Sequence, residues 1–293
     1  MADTPVRTFY YHADANAIGG YITRPFQGFV PSHTSVSLPM VGGFIQKQRT
    51  GRKWKNIVSY TSEGTHVSGS RKDEENGGPW TTQVSTTIEG LNILDVITAD
   101  RIVAQLSVAH PYDGGQPVIS VVGSQFINLR ISGTPIEPVI KYDFFTDHDG
   151  STEGDPKKRY PKRPWLEQEA FLQKVRAQKA GAKDTYAQKY DNAPIPEWIR
   201  HYFHGLDTGL KGRDFVVCSL IDQLPEIPNF PGTICGHSIY VPGFGKVFFG
   251  ELIVTNHQFR LSMVRAQLGS PVGGAVTAAT ASSNGKPYPP GGP

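Results

Sequence analysis

The feature that most constrains this chain is the alternation of side chains in Arg101–Ala109, "RIVAQLSVA". Ile102, Ala104, Leu106 and Val108 fall on one parity, and Arg101, Val103, Gln105, Ser107 and Ala109 on the other. Successive side chains of a strand point to opposite faces, so one wholly apolar parity is the pattern of a half-buried β-strand. A helical period would set Arg101 and Gln105 beside Ile102 and Leu106 and leave no apolar stripe. The flanking Asp95, Asp100 and His110 then belong to strand ends and solvent faces rather than to a catalytic set.

The pattern recurs. In "GSQFINLRISGTP", Ile127, Leu129 and Ile131 oppose Asn128, Arg130 and Ser132 before Gly133-Thr134-Pro135 ends the run. "TTQVSTTIEG" is threonine-rich and closed by glycine, the composition of a further strand. "GKVFFGELIVTNHQFRLSMVRAQLG" predicts a hairpin, with arms near Lys246–Val254 and Gln258–Leu268 and a turn at Thr255-Asn256-His257. The 32 glycines and 23 prolines among 293 residues exceed the ordinary combined share of about 12%. Many turns between alternating segments predict a mainly β fold: an antiparallel, jelly-roll-like β-sandwich with a helical, basic insertion.

Residues 1–140 and 213–269 are assigned to the sandwich core. Residues 141–212 are charged and hold one good helix, from about Trp165 to Ala180 and ending near Gly181, with a shorter helix after Pro196. Residues 270–293 form a Gly/Ala/Pro-rich segment that reads as an extended tail laid on a neighbouring copy. Cys218 and Cys235 are too few for a disulfide framework and read as buried small hydrophobes. No apolar run approaches the ~18 residues of a membrane span. The start lacks the basic and apolar regions of a secretory signal, so the expected location is cytoplasmic, with export by another route as the alternative.

Five segments in this order, "YYHADANAIGGYITRP", "EGLNILDVITADRIVAQLSVAHP", "GSQFINLRISGTPIEP", "IYVPGFGKVFFGEL" and "RLSMVRAQLGSP", resemble the bacterial all-β proteins grouped as choice-of-anchor families. The resemblance covers about 1–140 and 235–270. It implies a β-sandwich of the kind found in surface or secreted modules, and it transfers no catalytic or binding residue.

Two kinds of charged segment can carry chemistry. In "YDFFTDHDGSTEGDP", Asp143, Asp147, Asp149, Glu153 and Asp155 are packed as closely as calcium requires, although the EF-hand spacing is absent. A solvated loop offset by the basic segment after it explains the same residues. Lys47, Arg49, Arg52, Lys53 and Lys55 surround Trp54, and Lys157, Lys158, Arg159, Lys162 and Arg163 open a second basic stretch. Such residues suit a polyanion or an acidic neighbouring subunit; no nucleic-acid motif accompanies them, and nucleic acid is not expected as a partner.

His201 and His204 lie three apart with no third ligand nearby in sequence, and His148 sits between two acids. Ser124 and Ser219 lack a nucleophile elbow. With no catalytic residue assigned, the leading expectation is a non-catalytic structural protein that self-assembles into a homomeric particle, tube, filament or surface layer. The alternative is a calcium-assisted carbohydrate- or surface-binding module, with Tyr112 or Trp80 stacking on sugar rings.

Overall fold

The computed structural model describes residues 7–72, 77–112, 115–149, 160–206 and 209–288. The first strands are β1 (Thr8–Tyr10), β2 (Ala13–Arg24), β3 (Gly28–Val30) and β4 (Val36–Ser37). Four long strands follow as consecutive hairpins: β5 (Gly43–Trp54), β6 (Val58–Arg71), β7 (Trp80–Ile93) and β8 (Ile97–His110). The short β9 (Val118–Ser120), β10 (Gln125–Ile127), β11 (Arg130–Ile131) and β12 (Thr134–Pro135) complete that sheet, in the order β12-β11-β8-β7-β6-β5, with β9 and β10 also on β8.

The helices α1 (Glu169–Lys189) and α2 (Arg200–Phe203) come next. The chain returns to strands with β13 (Phe215–Ser219), β14 (Thr233–Cys235), β15 (Ser238–Val241), β16 (Gly245–Thr255), β17 (Phe259–Leu268), β18 (Gly273–Ser283) and β19 (Lys286–Tyr288). The second large sheet runs β14-β15-β16-β17-β18-β2-β3, with β13 on β16 and β4 on β2, and β1 pairs with β19 apart from both. The fold is therefore mainly β, and all its strand pairs are antiparallel.

The alternation read from Arg101–Ala109 sets the packing. Ile102, Ala104, Leu106 and Val108 are all buried, and they line one face together with Val84, Ile88 and Val67 of the neighbouring strands. β2 and β18 lie against that face. The Thr86 hydroxyl donates to the Thr280 carbonyl at 2.9 Å, tying β7 to β18 across the core. Asp95 is a turn residue at φ 57°, its backbone N–H and side chain both bonded to Asn92. The hairpin of β16 and β17 also forms where the sequence places it, from Gly245↔Leu268 to Val254↔Phe259.

Four expectations need correction. The run around Ile127, Leu129 and Ile131 is not one strand: Asn128 turns to φ 51°, which splits it into β10 and β11 and leaves Ile127 exposed. The helix does not start at Trp165 or stop at Gly181. Trp165–Glu167 is a separate 3-10 turn, and α1 runs through Gly181 to Lys189 because Ala182 and Tyr186 continue the buried stripe of Phe171, Val175 and Gln178. That packing outweighs the roughly 1 kcal/mol that glycine costs in a helix.

The third correction is the largest. Of residues 270–293, those to 288 are described, and they are not an extended tail on a neighbour: β18 lies inside the sheet between β17 and β2. Its Val276, Ala278, Ala279 and Ala281 are fully buried. Its small side chains let the strands and sheets approach closely, and a Cβ at Gly20 of β2 would sit 2.2 Å from the Ala275 carbonyl oxygen. Fourth, Trp80 is not available to a sugar. It is buried, stacked on Phe9 at 5.3 Å and tilted against Tyr112 at 5.2 Å, with Arg71 over both rings.

His110 ends β8 in that same aromatic cluster, 4.8 Å from the Phe9 ring. Burial pushes its imidazole down to about 4. The folded state thus refuses a proton that the unfolded chain accepts, and stability falls as pH drops from about 6.5 to about 4. The ceiling is about 3 kcal/mol. In His110→Leu that part of the slope should vanish when unfolding free energy is measured by urea at successive pH values. A variant with the wild-type slope would contradict the assignment.

Candidate functional site

The long hairpins leave one face of β5–β8 turned from the core. Every second residue of each strand stands on it, and the register aligns them in rows across four strands. Gln46, His66, Ser85 and Gln105 form one row; Gln48, Gly64, Thr87 and Val103 the next; Thr50, Ser62, Glu89 and Arg101 the third. All of these except Gln105 and Val103 line an open groove of about 700 Å³.

Gly64 occupies the middle of this face. A Cβ there would meet only Gln48 Cγ at 3.6 Å and the Lys47 carbonyl oxygen at 3.9 Å, so the missing side chain is what hollows the surface. At one end the Phe44 ring, 73% exposed, stacks on His66 with centroids 6.5 Å apart. At the other, Ser62 donates to Glu89 Oε2 at 2.7 Å, and Arg101 Nε stands 4.0 Å from Glu89 Oε1. The lining is thus amides, hydroxyls, an imidazole, one ion pair and an exposed ring. Amides and hydroxyls donate and accept at once, as vicinal hydroxyls require, and the ring offers a flat apolar surface.

Immediately behind the groove, Glu63 faces inward in a row with Ile88 and Ile102 and is 2% exposed. The Tyr60 hydroxyl and Thr34 Oγ1, both buried, stand beside its carboxylate. Burial pushes the Glu63 carboxyl up, partly offset by Tyr60 and Arg49, and pushes Tyr60 up to about 12.

The candidate residues from the sequence fall in different places. Lys47, Arg49, Arg52 and Lys53 lie on β5, and Lys55 follows in its turn. Lys47 Nζ donates to the Ser35 carbonyl at 3.2 Å, Arg52 contacts His33 Nε2, and Lys55 lies over the Phe26 ring at 3.9 Å. Arg49 borders the groove, and both Arg49 and Arg52 lower the buried Glu63. Part of this basic cluster therefore compensates a buried acid.

Lys162 and Arg163 are not joined to that cluster. They lie past Pro161, whose carbonyl accepts from Gln116 just before β9, with β6, β7 and β8 between β9 and β5. Their partner is Asp149, which accepts from the Lys162 N–H at 2.8 Å, Arg163 Nε at 3.0 Å and Gln168 Nε2 at 3.0 Å. Asp147 pairs with Lys174 at 2.8 Å, and the Asp143 carbonyl accepts from the same ammonium. Lys174 hydrogen bonding holds Asp147 below the usual carboxylate range. Glu153, Asp155, Lys157, Lys158 and Arg159 lie outside the described residues. Among the described residues no three His, Cys, Asp or Glu converge as metal ligands.

Sequence reasoning missed two buried charged groups. Lys179 lies in a stretch rich in lysine and arginine, yet its spacing from Phe171, Val175 and Ala182 places it on the buried stripe of α1. Glu251 of β16 and Arg265 of β17 were read as ordinary hairpin residues. Arg265 Nη2 donates to Glu251 Oε1 at 2.7 Å and Nε to Oε2, while the guanidinium lies 3.9 Å over the Phe248 ring. Burial alone would raise the Glu251 carboxyl; the Arg265 fork, with His237 beside it, more than reverses this and holds it at about 2. Cys218 and Cys235 are free and buried, both thiols pushed up to about 12 by burial.

No helix among the described residues is long and apolar enough to cross a membrane. No curated protein and no solved structure matches the chain. A family model described as Domain of unknown function (DUF8256) matches residues 9–255, from β1 to the end of β16, and the chain belongs to that family.

Proposed function

We propose that this protein is a non-catalytic binding module whose ligand is a neutral glycan held on the groove of β5–β8. The observation that carries the reading is the glycine-floored set of rows: Gln46, Gln48, Ser62, Thr87 and His66 present neutral donors and acceptors across three strands, with Phe44 at the rim. Lysine or glutamate at these positions would serve solubility alone equally well. Exposed amides and hydroxyls around an aromatic ring instead match a sugar, which offers hydroxyls at its edges and C–H groups on its face.

A second reading, self-assembly, draws on a different observation. β5 pairs with β6 on one side and is the last strand of its sheet among the described residues, so twelve residues of backbone are open to strand addition. The four cations on it disfavour that pairing between identical copies.

One experiment separates the two. The purified chain is titrated with β-glucan, xylan and mannan by calorimetry, and the same sample is run on size exclusion with light scattering. The expected result is a 32.1 kDa monomer that binds one of these polymers. The Gln48→Ala/His66→Ala variant should bind at least tenfold more weakly with its thermal midpoint held, because both side chains lie on the groove and outside the core. A defined oligomer without glycan binding would transfer the face to assembly and end the first reading.

A further inference from the structure

A second cavity, of about 720 Å³, lies where the helical segment meets β13. Lys179 of α1 stands in its wall at 2% exposure. Its ammonium donates to the His204 carbonyl at 3.3 Å and lies 5.3 Å over the Tyr202 ring, and among the described residues no carboxylate pairs with it. The Cys218 thiol, which also acts on the Lys179 charge, is kept protonated by burial. A charged amine in such a place ordinarily carries a paired acid.

The rest of the lining has the same sign. Among the described residues Lys211 and Arg213 line the cavity together with one carboxylate, Asp214. Arg213 is held in place, with Nε donating to the Gly209 carbonyl at 3.2 Å and Nη1 2.8 Å from His204 Nδ1. Leu210, Phe215, Val216 and Val217 supply the apolar remainder of the wall.

We propose that this cavity binds an amphipathic organic anion, whose acidic group meets Lys179 and Lys211 and whose apolar body lies against Leu210 and Phe215. The site is separate from the glycan groove: it belongs to α1 and β13, and the groove to β5–β8. Its volume falls in the range of small-molecule sites, ~300–1,000 Å³. Burial pushes the Lys179 amine down to about 8. An anion restores the ammonium, so affinity should weaken as pH rises through about 8 and beyond.

The probe is 8-anilinonaphthalene-1-sulfonate, followed by fluorescence, with N-phenyl-1-naphthylamine as the same ring system without the sulfonate. The expected result is saturable binding of the sulfonate at one site, at least tenfold tighter than the uncharged amine. Lys179→Met should lose at least tenfold in sulfonate affinity while its thermal midpoint, without probe, stays level or rises, because an unpaired buried charge has been removed. Should that variant fail to fold, the exposed Lys211→Ala should still weaken the sulfonate and leave the uncharged amine unaffected. Equal binding of the two probes, or sulfonate binding unchanged in the folded variant, overturns the proposal. Neither result bears on glycan binding, so the two proposals fail independently.

Discussion

A chain truncated after Gly269 will not fold. β18 pairs with β17 over Phe259↔Ser283 to Leu268↔Gly274 and with β2 over Ala13↔Ser283 to Arg24↔Gly273, so its removal parts the sheet through its middle. It also takes Val276, Ala278, Ala279 and Ala281 from the core and the Thr280 carbonyl from Thr86. A domain is stable by about 5–15 kcal/mol, and losing a central strand exceeds that. The expected observation is an insoluble product, or a soluble one without near-ultraviolet dichroism or a cooperative urea transition. A single Val276→Asp substitution, which buries a charge without a partner, should by itself cost about 3–5 kcal/mol. A truncated chain with a wild-type transition would mean that β18 is not a central strand.

Arg265→Met is the second large effect. It strands Glu251, a 6%-exposed carboxylate, and removing one partner of a buried pair costs about 3–5 kcal/mol. His237 offsets only part of this: it also favours the ionised carboxyl, but its Nε2 lies 3.9 Å from Glu251 Oε1, beyond a good hydrogen-bond distance. The sign with pH follows from the folded carboxyl lying near 2, below its unfolded value of about 4.5. In the wild type the pair's contribution is full above pH 4.5 and is lost as pH falls towards 2. In Arg265→Met the deficit should be largest at neutral pH and shrink in acid as Glu251 takes a proton. The Glu251→Gln/Arg265→Met variant should recover most of the loss at pH 7. Equal stability of wild type and Arg265→Met at neutral pH would show that the ion pair contributes nothing.

Both effects involve residues whose importance the linear pattern hides in part. The hairpin of β16 and β17 was legible in its two arms and its turn. Its pairing of Glu251 with Ser262 across the turn does not by itself reveal that Arg265 reaches back to Glu251, because the outer face of that hairpin is covered by the helical segment. Phe248, Tyr202 and Ala182 meet there in a second small core, which buries a face that an open two-layer sheet would leave to solvent. The Lys179 cavity has the same origin: the lysine is a surface residue in composition and a core residue by position on α1.

The strand parity of Arg101–Ala109, the hairpin at Thr255 and the existence of a helix near Phe171 followed from the amino-acid order alone, because they depend on local periodicity and turn chemistry. Tertiary structure alone decided that "GGAVTAATASS" is a central strand. Alanine, serine and threonine carry too little hydrophobic contrast to mark a face, and such small residues become core only when two neighbouring strands and an opposing sheet close around them. The groove over Gly64 and the unpaired charge of Lys179 were likewise set by register and packing, which bring together residues that stand far apart along the chain.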